Sequence, residues 1–215
     1  MMRKIVLALT VALLAGFAVA AEQSATPKPG SNRAAAKAGG ASQAKIRQAM
    51  GAAPADIAKG ATIMDWPDTP TGQMKQLRAG TNGWTCMPSS PGEFGGASVE
   101  DPMCLDKPFM TWADAWMGKK DPQVKAVGVG YMLRGDKGAS GTDPFATGPT
   151  SDNQWIASGP HIMVVVPNVS QLEGIPTDPH NGGPWVMWKG TKYAHIMVPV
   201  AAMPKAAGTN TPAKK

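Results

Sequence analysis

Short apolar runs recur through the last three quarters of the chain, and their lengths predict strands rather than long helices. The runs lie at residues 61–66, 83–87, 127–133, 161–167, 185–188 and 193–200. The run at 161–167, with the sequence HIMVVVP, is apolar at nearly every position. Such a continuous run is typical of a strand that is buried on both faces.

The last two runs are predicted to form a hairpin. Gly190 and Thr191 lie between them, and glycine suits the first central position of a type II′ turn because that position needs a positive φ. A two-residue turn at this place would pair Val186 with His195.

Helical spacing is clearest at residues 109–119, where Phe109, Trp112 and Trp116 form one apolar stripe. A second helix is predicted from Ser42, a good N-cap residue, to Gly51. Four Asp-Pro steps mark turns between the elements. We therefore predict a loop-rich α+β fold, with a mainly antiparallel sheet of four to six short strands and a few short helices on one of its faces.

The two ends of the chain differ in character from its middle. Residues 1–20 have a basic start, an apolar stretch and small residues at 18–20, which is the pattern of a secretory signal peptide. We predict a flexible linker at 21–41, a single globular domain at 42–204 and a flexible basic tail at 205–215. The expected location is periplasmic or secreted, with no transmembrane segment after signal cleavage.

The net charge of +6 first suggests a nucleic-acid partner. The distribution of charge argues against it, because residues 46–204 hold twelve basic and fourteen acidic side chains. The excess of positive charge therefore belongs to the two ends. A slightly acidic domain without a basic stripe predicts no nucleic-acid binding.

The chain has two cysteines, Cys86 and Cys104, which enclose seventeen residues. An even number of cysteines in an exported chain favours a disulfide, and this spacing matches neither a CxxC redox motif nor a zinc motif. We predict a disulfide between them that stabilises the enclosed loop.

The most specific candidate site is a repeated His-x-Met motif, formed by His161 with Met163 and by His195 with Met197. Both motifs lie in predicted strands, where residues i and i+2 point to one face. If the strands are neighbours in the same register, two imidazoles and two thioethers would converge. That set suits copper, in particular Cu(I), while the alternative is that the methionines simply fill the core.

Two other functions stay open. Four tryptophans near Pro, Gly or Asn are candidates for binding a glycan, a peptide or another cell-envelope component through exposed indole faces: Trp66, Trp84, Trp155 and Trp185. The alternative for these residues is core packing. An enzyme of an unrecognised type is the third reading, but the chain lacks the GxSxG and HExxH motifs and a phosphate-binding glycine loop, so no catalytic residue is assigned. We expect a non-enzymatic binding domain for an unknown small ligand or envelope component.

Several segments resemble a group of secreted bacterial proteins that have no assigned activity. The segments are GWTCMP (83–88), DPMCLDK (101–107), WADAWM (112–117), TDPFATGP (142–149), GPHIM (159–163) and YAHIMVP (193–199). The resemblance covers most of residues 44–200. It implies one exported domain and carries no activity or site residue with it.

Overall fold

The computed structural model describes residues 29–69, 72–91 and 100–202. The predicted signal peptide at 1–20 and basic tail at 205–215 lie outside the described residues. The first helix, α1, runs from Pro29 to Met50, so it begins well before the predicted start at Ser42. Its first half occupies most of the segment that was predicted to be a flexible linker. Alanine is frequent in this segment, and its high helix propensity explains the longer helix.

A sheet of eight strands forms the centre of the fold, in the spatial order β2-β1-β3-β4-β5-β8-β10-β9. Every neighbouring pair is antiparallel except β1 and β3, which are parallel. The strands are β1 (Thr62–Asp65), β2 (Lys75–Arg78), β3 (Thr85–Met87), β4 (Met103–Leu105), β5 (Gly128–Met132), β8 (His161–Val165), β9 (Trp185–Met187) and β10 (His195–Pro199). Two further strands, β6 (Ala139–Ser140) and β7 (Trp155–Ile156), form a separate two-stranded sheet.

The α+β class is confirmed, but the prediction of four to six strands is wrong for the main sheet. The two strands that the hydrophobic pattern missed are β2 and β4. The edge strand β2 has the polar sequence KQLR and shows no apolar alternation. The strand β4 is only three residues long, which is too short to give a periodic signal.

The helices cover both faces of the sheet rather than one, which corrects the second part of the fold prediction. On one face, α1 packs against β3 and contributes Ile46 and Ala49 to a cluster with the two cysteines. On the other face, helix α3 (Lys107–Met117) packs against β5 and β8. A short helix, α2 (Ala55–Gly60), and a 3-10 turn at Val169–Leu172 complete the described elements.

One aspartate attaches the start of α3 to the sheet. Asp106 is the N-cap residue, and its carboxylate accepts hydrogen bonds from the backbone N–H of Phe109 at 2.8 Å and of Val129 at 2.8 Å. The second bond reaches into β5. Gly128 of the same strand allows the helix to lie close, because a Cβ atom there would be 2.6 Å from the backbone nitrogen of Phe109. The helix is therefore held directly over the middle of the sheet.

The predicted hairpin exists, but its register is shifted by one residue. His195 lies opposite Met187 rather than Val186, and Met197 lies opposite Trp185. The reason is a longer turn, in which Trp188 adopts a φ of +57° and leaves the strand. The hydroxyl of Thr191 then donates to the carbonyl oxygen of Trp188 at 2.8 Å and closes the turn.

The predicted disulfide between Cys86 and Cys104 is present. The two residues lie directly opposite each other in β3 and β4, and both are fully buried on the face that α1 covers. Among the described residues no helix is long and apolar enough to cross a membrane.

Candidate functional site

The two His-x-Met motifs lie in neighbouring strands at the centre of the α3 face. Strands β8 and β10 pair antiparallel, with Met163 directly opposite Met197 and His161 opposite Pro199. Residues that lie opposite each other in a sheet share a face, so all four predicted ligands point the same way. The antiparallel direction places the two methionines at the centre and the two histidines at opposite ends.

All four side chains line one cavity between the sheet and α3, with a volume of about 110 Å³. The cavity wall is mostly apolar and unusually rich in sulfur, with five methionines on it: Met103, Met132, Met163, Met187 and Met197. All but Met103 are buried. The site thus contains the predicted residues within a larger set of thioethers.

Both histidines of the cavity are oriented by the backbone. The Nδ1 atom of His161 lies 2.7 Å from the carbonyl oxygen of Gly159, and that of His195 lies 3.0 Å from the carbonyl oxygen of Tyr193. A carbonyl can only accept, so Nδ1 carries the proton in each ring and Nε2 carries a lone pair. This is the usual arrangement of a metal-binding histidine, in which a backbone carbonyl fixes the tautomer.

Burial keeps both imidazoles neutral. It lowers the pKa of His161 and of His195 from 6.5 to about 4, against the opposing effect of the carbonyl hydrogen bonds. The side chains are 1% and 2% exposed. His161 Nε2 has no hydrogen-bond partner, although a buried polar atom normally has one. The fold therefore holds an unused lone pair at the wall of an apolar cavity.

Two methionines that sequence reasoning missed lie directly opposite the histidines. Met132 of β5 is opposite His161, and Met187 of β9 is opposite His195. Met132 could have been found from the sequence GVGYM of β5. Gly128, Gly130 and Met132 share one face of the strand, and Met132 is the only one of the three with a side chain long enough to reach a site. Met187 could not be placed because the predicted hairpin register put it on the other face.

Aromatic rings enclose the end of the cavity near His195. The ring centroids of Trp112 and Trp188 lie 5.1 Å and 4.9 Å from the centroid of the imidazole, with their planes steeply inclined to it. The two indoles are stacked 5.9 Å apart, and Trp116 stacks on both. Trp188 Nε1 donates to the carbonyl oxygen of Ser140 at 2.7 Å, whereas Trp112 Nε1 has no partner.

Two carboxyl groups line the cavity wall near His161. Asp101 precedes β4 and accepts hydrogen bonds from the backbone N–H and the hydroxyl of Ser90, at 2.7 and 2.9 Å. Asp136 follows β5 and accepts from the backbone N–H groups of Gly138 and Ser158, at 2.9 and 3.0 Å. The pKa of each carboxyl is raised to about 6, mainly by burial, and the charge of Asp136 contributes to the rise for Asp101.

The shifted carboxyls and histidines have opposite effects on stability. A carboxyl whose pKa rises on folding stabilises the fold below its unfolded pKa of 3.8, and this contribution is lost as the pH rises through 6. A histidine whose pKa falls to about 4 stabilises the fold above pH 6.5, and this contribution is lost as the pH falls towards 4. Between pH 4 and 6.5 the two effects largely cancel in the native protein.

We predict that the double variant Asp101→Asn/Asp136→Asn is more sensitive to acid than the native protein. Its free energy of unfolding should fall more steeply from pH 7 to pH 4, by about 1–3 kcal/mol for each carboxyl removed. Urea denaturation at pH 7, 5.5 and 4 measures this difference. Parallel pH profiles for the two proteins would contradict the assignment of these carboxyls.

The four tryptophans proposed as a ligand surface are not brought together. Trp185 and Trp66 are 1% and 7% exposed, and only Trp66 lines the cavity, where its Nε1 donates to the carbonyl oxygen of Pro88 at 2.7 Å. Trp84 packs on Tyr131 on the α1 face, and Trp155 lies in the small β6–β7 sheet. The other tryptophans that line the cavity are Trp112 and Trp116 of α3 and Trp188 of the hairpin.

In the described part of the chain, no group of three or more His, Cys, Asp or Glu side chains is placed to hold a metal ion. Comparison of the chain with protein-family models, with curated protein sequences and with solved structures finds no match. The function must therefore be inferred from the cavity itself.

Proposed function

We propose that this protein is an exported, non-enzymatic domain that binds Cu(I) in the cavity between α3 and the sheet. The observation that carries the proposal is the position of His161, Met163, His195 and Met197 in two paired strands, with all four side chains on one cavity. The motif was visible in the sequence, and the pairing of the two strands supports a common site.

The chemistry of the donors favours this ion over others. Thioether sulfur selects soft ions such as Cu(I), and neutral imidazole accepts them. Calcium and magnesium require six or more oxygen ligands, whereas in the part of the chain that the structure describes the side-chain oxygens on the cavity wall belong to Ser90, Asp101 and Asp136 alone. Zinc is bound mainly by thiolate, imidazole and carboxylate. The cysteines of this chain are joined in a disulfide on the opposite face, and no three His, Cys, Asp or Glu side chains of the described residues are placed to hold one ion.

The protonation state also suits a metal ligand. A metal competes with the proton for the imidazole lone pair, and a pKa of about 4 removes that competition at neutral and mildly acidic pH. An exposed histidine would lose its affinity for a metal near pH 6.5. The disulfide is compatible with an oxidising compartment, which is the location expected from the sequence.

A titration with Cu(I) tests the proposal. Mature protein is titrated under anaerobic conditions against bicinchoninate, a chromophoric chelator of Cu(I). We expect the protein to retain Cu(I), and the variant His161→Phe/His195→Phe to bind at least tenfold more weakly. His180→Ala is the matched control, because His180 is the third histidine of the chain and is exposed.

Two results of the titration would contradict the proposal. If the chelator removes all Cu(I) from folded native protein, or if the two cavity histidines can be replaced without effect, the proposal is wrong. Circular dichroism and thermal unfolding of each variant show whether it is folded when the titration is made.

A second candidate is a small organic ligand, and one observation favours it. Trp112 Nε1 is a buried N–H donor without a partner, and Trp112 lines the cavity. A volume of about 110 Å³ is close to that of cavities that accept a single benzene-sized molecule, so it is too small for a glycan or a peptide. Such a ligand would be aromatic with one acceptor, and phenol-type probes in the thermal unfolding assay test for it.

A further inference from the structure

The two His-x-Met motifs are the halves of a larger repeat. His161 has Met163 two residues along its own strand and Met132 directly opposite on the outer neighbouring strand, β5. His195 has Met197 two residues along its own strand and Met187 directly opposite on the outer neighbouring strand, β9. Each histidine thus has two methionines in the same relation to it, and the two triads are related by the antiparallel pairing of β8 and β10.

The register of β8 and β10 places the two histidines far apart along the strands. His161 lies opposite Pro199, which is four residues beyond His195 in β10. At about 3.4 Å per residue, the two backbone positions are roughly 14 Å apart along the strands. By contrast, a histidine and its opposite methionine have Cβ atoms about 5 Å apart. The backbone position of each histidine is therefore closer to those of its own two methionines than to that of the other histidine.

The two triads also have different surroundings. Asp101 and Asp136 lie at the end of the cavity that holds His161, because Asp101 precedes the start of β4 at Met103 and Asp136 follows the end of β5 at Met132. The rings of Trp112 and Trp188 enclose the other end, around His195. A cation at the first triad is attracted by carboxyl groups, and a cation at the second faces indole rings, whose faces attract positive charge.

We propose that the cavity binds two Cu(I) ions, one at His161 with Met132 and Met163, and one at His195 with Met187 and Met197. This inference rests on the proposed function and adds its stoichiometry and two ligands. Each ion has one imidazole nitrogen and two thioether sulfurs, a soft donor set for Cu(I). The two ions repel each other, so the second binds more weakly than the first.

The stoichiometry tests this inference separately from the proposed function. Native mass spectrometry and anaerobic competition against bicinchoninate should both give two Cu(I) per native chain. Met132→Leu and Met187→Leu should each lose one of the two tightly held ions, and the double variant should lose both. Leucine keeps the apolar volume of methionine, so the fold is retained. Met117→Leu is the control, because Met117 packs on the same core but does not line the cavity.

Each outcome decides the question. Two ions in the native chain and one in each single variant support two sites. One ion in the native chain, with Met132→Leu and Met187→Leu unchanged, overturns the two-site inference and leaves the proposed function in place. No retained Cu(I) in the native chain overturns both.

Discussion

Replacing Met163 and Met197 together with leucine is expected to weaken Cu(I) binding by about 100-fold or more. These two residues lie directly opposite each other at the centre of the site, and each belongs to a different histidine. The change removes one thioether beside each of the two histidines at once. Loss of an outer contact to a metal ligand typically costs 10–100-fold in affinity, and the loss of direct ligands costs at least as much.

Leucine is a suitable replacement because it separates chemistry from packing. Met163 and Met197 are 7% and 2% exposed, so a smaller or polar residue would disturb the core. A change from methionine to leucine conserves volume and usually costs less than about 1.5 kcal/mol of stability. The anaerobic competition titration measures the affinity, and Met117→Leu reports the effect of a Met-to-Leu change away from the cavity. Native affinity in the double variant would show that the thioethers of Met163 and Met197 take no part in binding.

Removing the disulfide is expected to have the largest effect on stability. In the chain-entropy description, a cross-link between residues 18 positions apart stabilises a fold by about 3 kcal/mol. The variant Cys86→Ala/Cys104→Ala should therefore lose about 3 kcal/mol in the free energy of unfolding, measured by urea denaturation without reductant. Both cysteines are fully buried, so serine would be a poorer choice because it would bury two hydroxyl groups.

The same variant also tests whether the disulfide affects Cu(I) binding. The two cysteines pack against Ile63 and α1 on one face of the sheet, while the methionines and histidines lie on the other face. The folded variant should therefore bind Cu(I) with native affinity at low temperature. A loss of less than about 0.5 kcal/mol would show that the stability of the fold does not depend on the cross-link.

The strands that carry the site were predictable because their apolar pattern is strong. The segment HIMVV has alternate residues buried, and its partner HIMVP follows the same pattern except at Pro199, which is half-buried. Their pairing direction was not predictable, since periodicity gives faces but does not say which strands are neighbours. The full ligand set cannot be found without the strand order, because Met132 and Met187 reach the site only through pairing with the strands of the two histidines.

The hairpin shows why turn chemistry can mislead. Gly190 does have a positive φ, as the predicted type II′ turn requires. Trp188 also has a positive φ, which is rare for a bulky residue, and nothing in its side chain signals this. Tertiary contacts favour it, since the backbone N–H of Trp188 donates to the carbonyl oxygen of Gly141 at 2.9 Å. A shift of one residue then moves Met187 onto the cavity face.

The histidine environment could not be predicted at all. The sequence HIM is compatible with an exposed or a buried imidazole, and the difference decides the protonation state. In the structure the carbonyl groups of Gly159 and Tyr193, each two residues before a histidine, hold the two rings. These are backbone contacts, so no residue type in the sequence indicates them.

X-ray absorption at the copper K-edge of the Cu(I)-loaded protein tests the central claim most directly. The method reports the atoms bound to copper without depending on any substitution. The account predicts sulfur scatterers together with imidazole nitrogen, and an edge characteristic of Cu(I). A spectrum with nitrogen and oxygen neighbours only would contradict it, because the ion would then be bound outside the methionine-lined cavity.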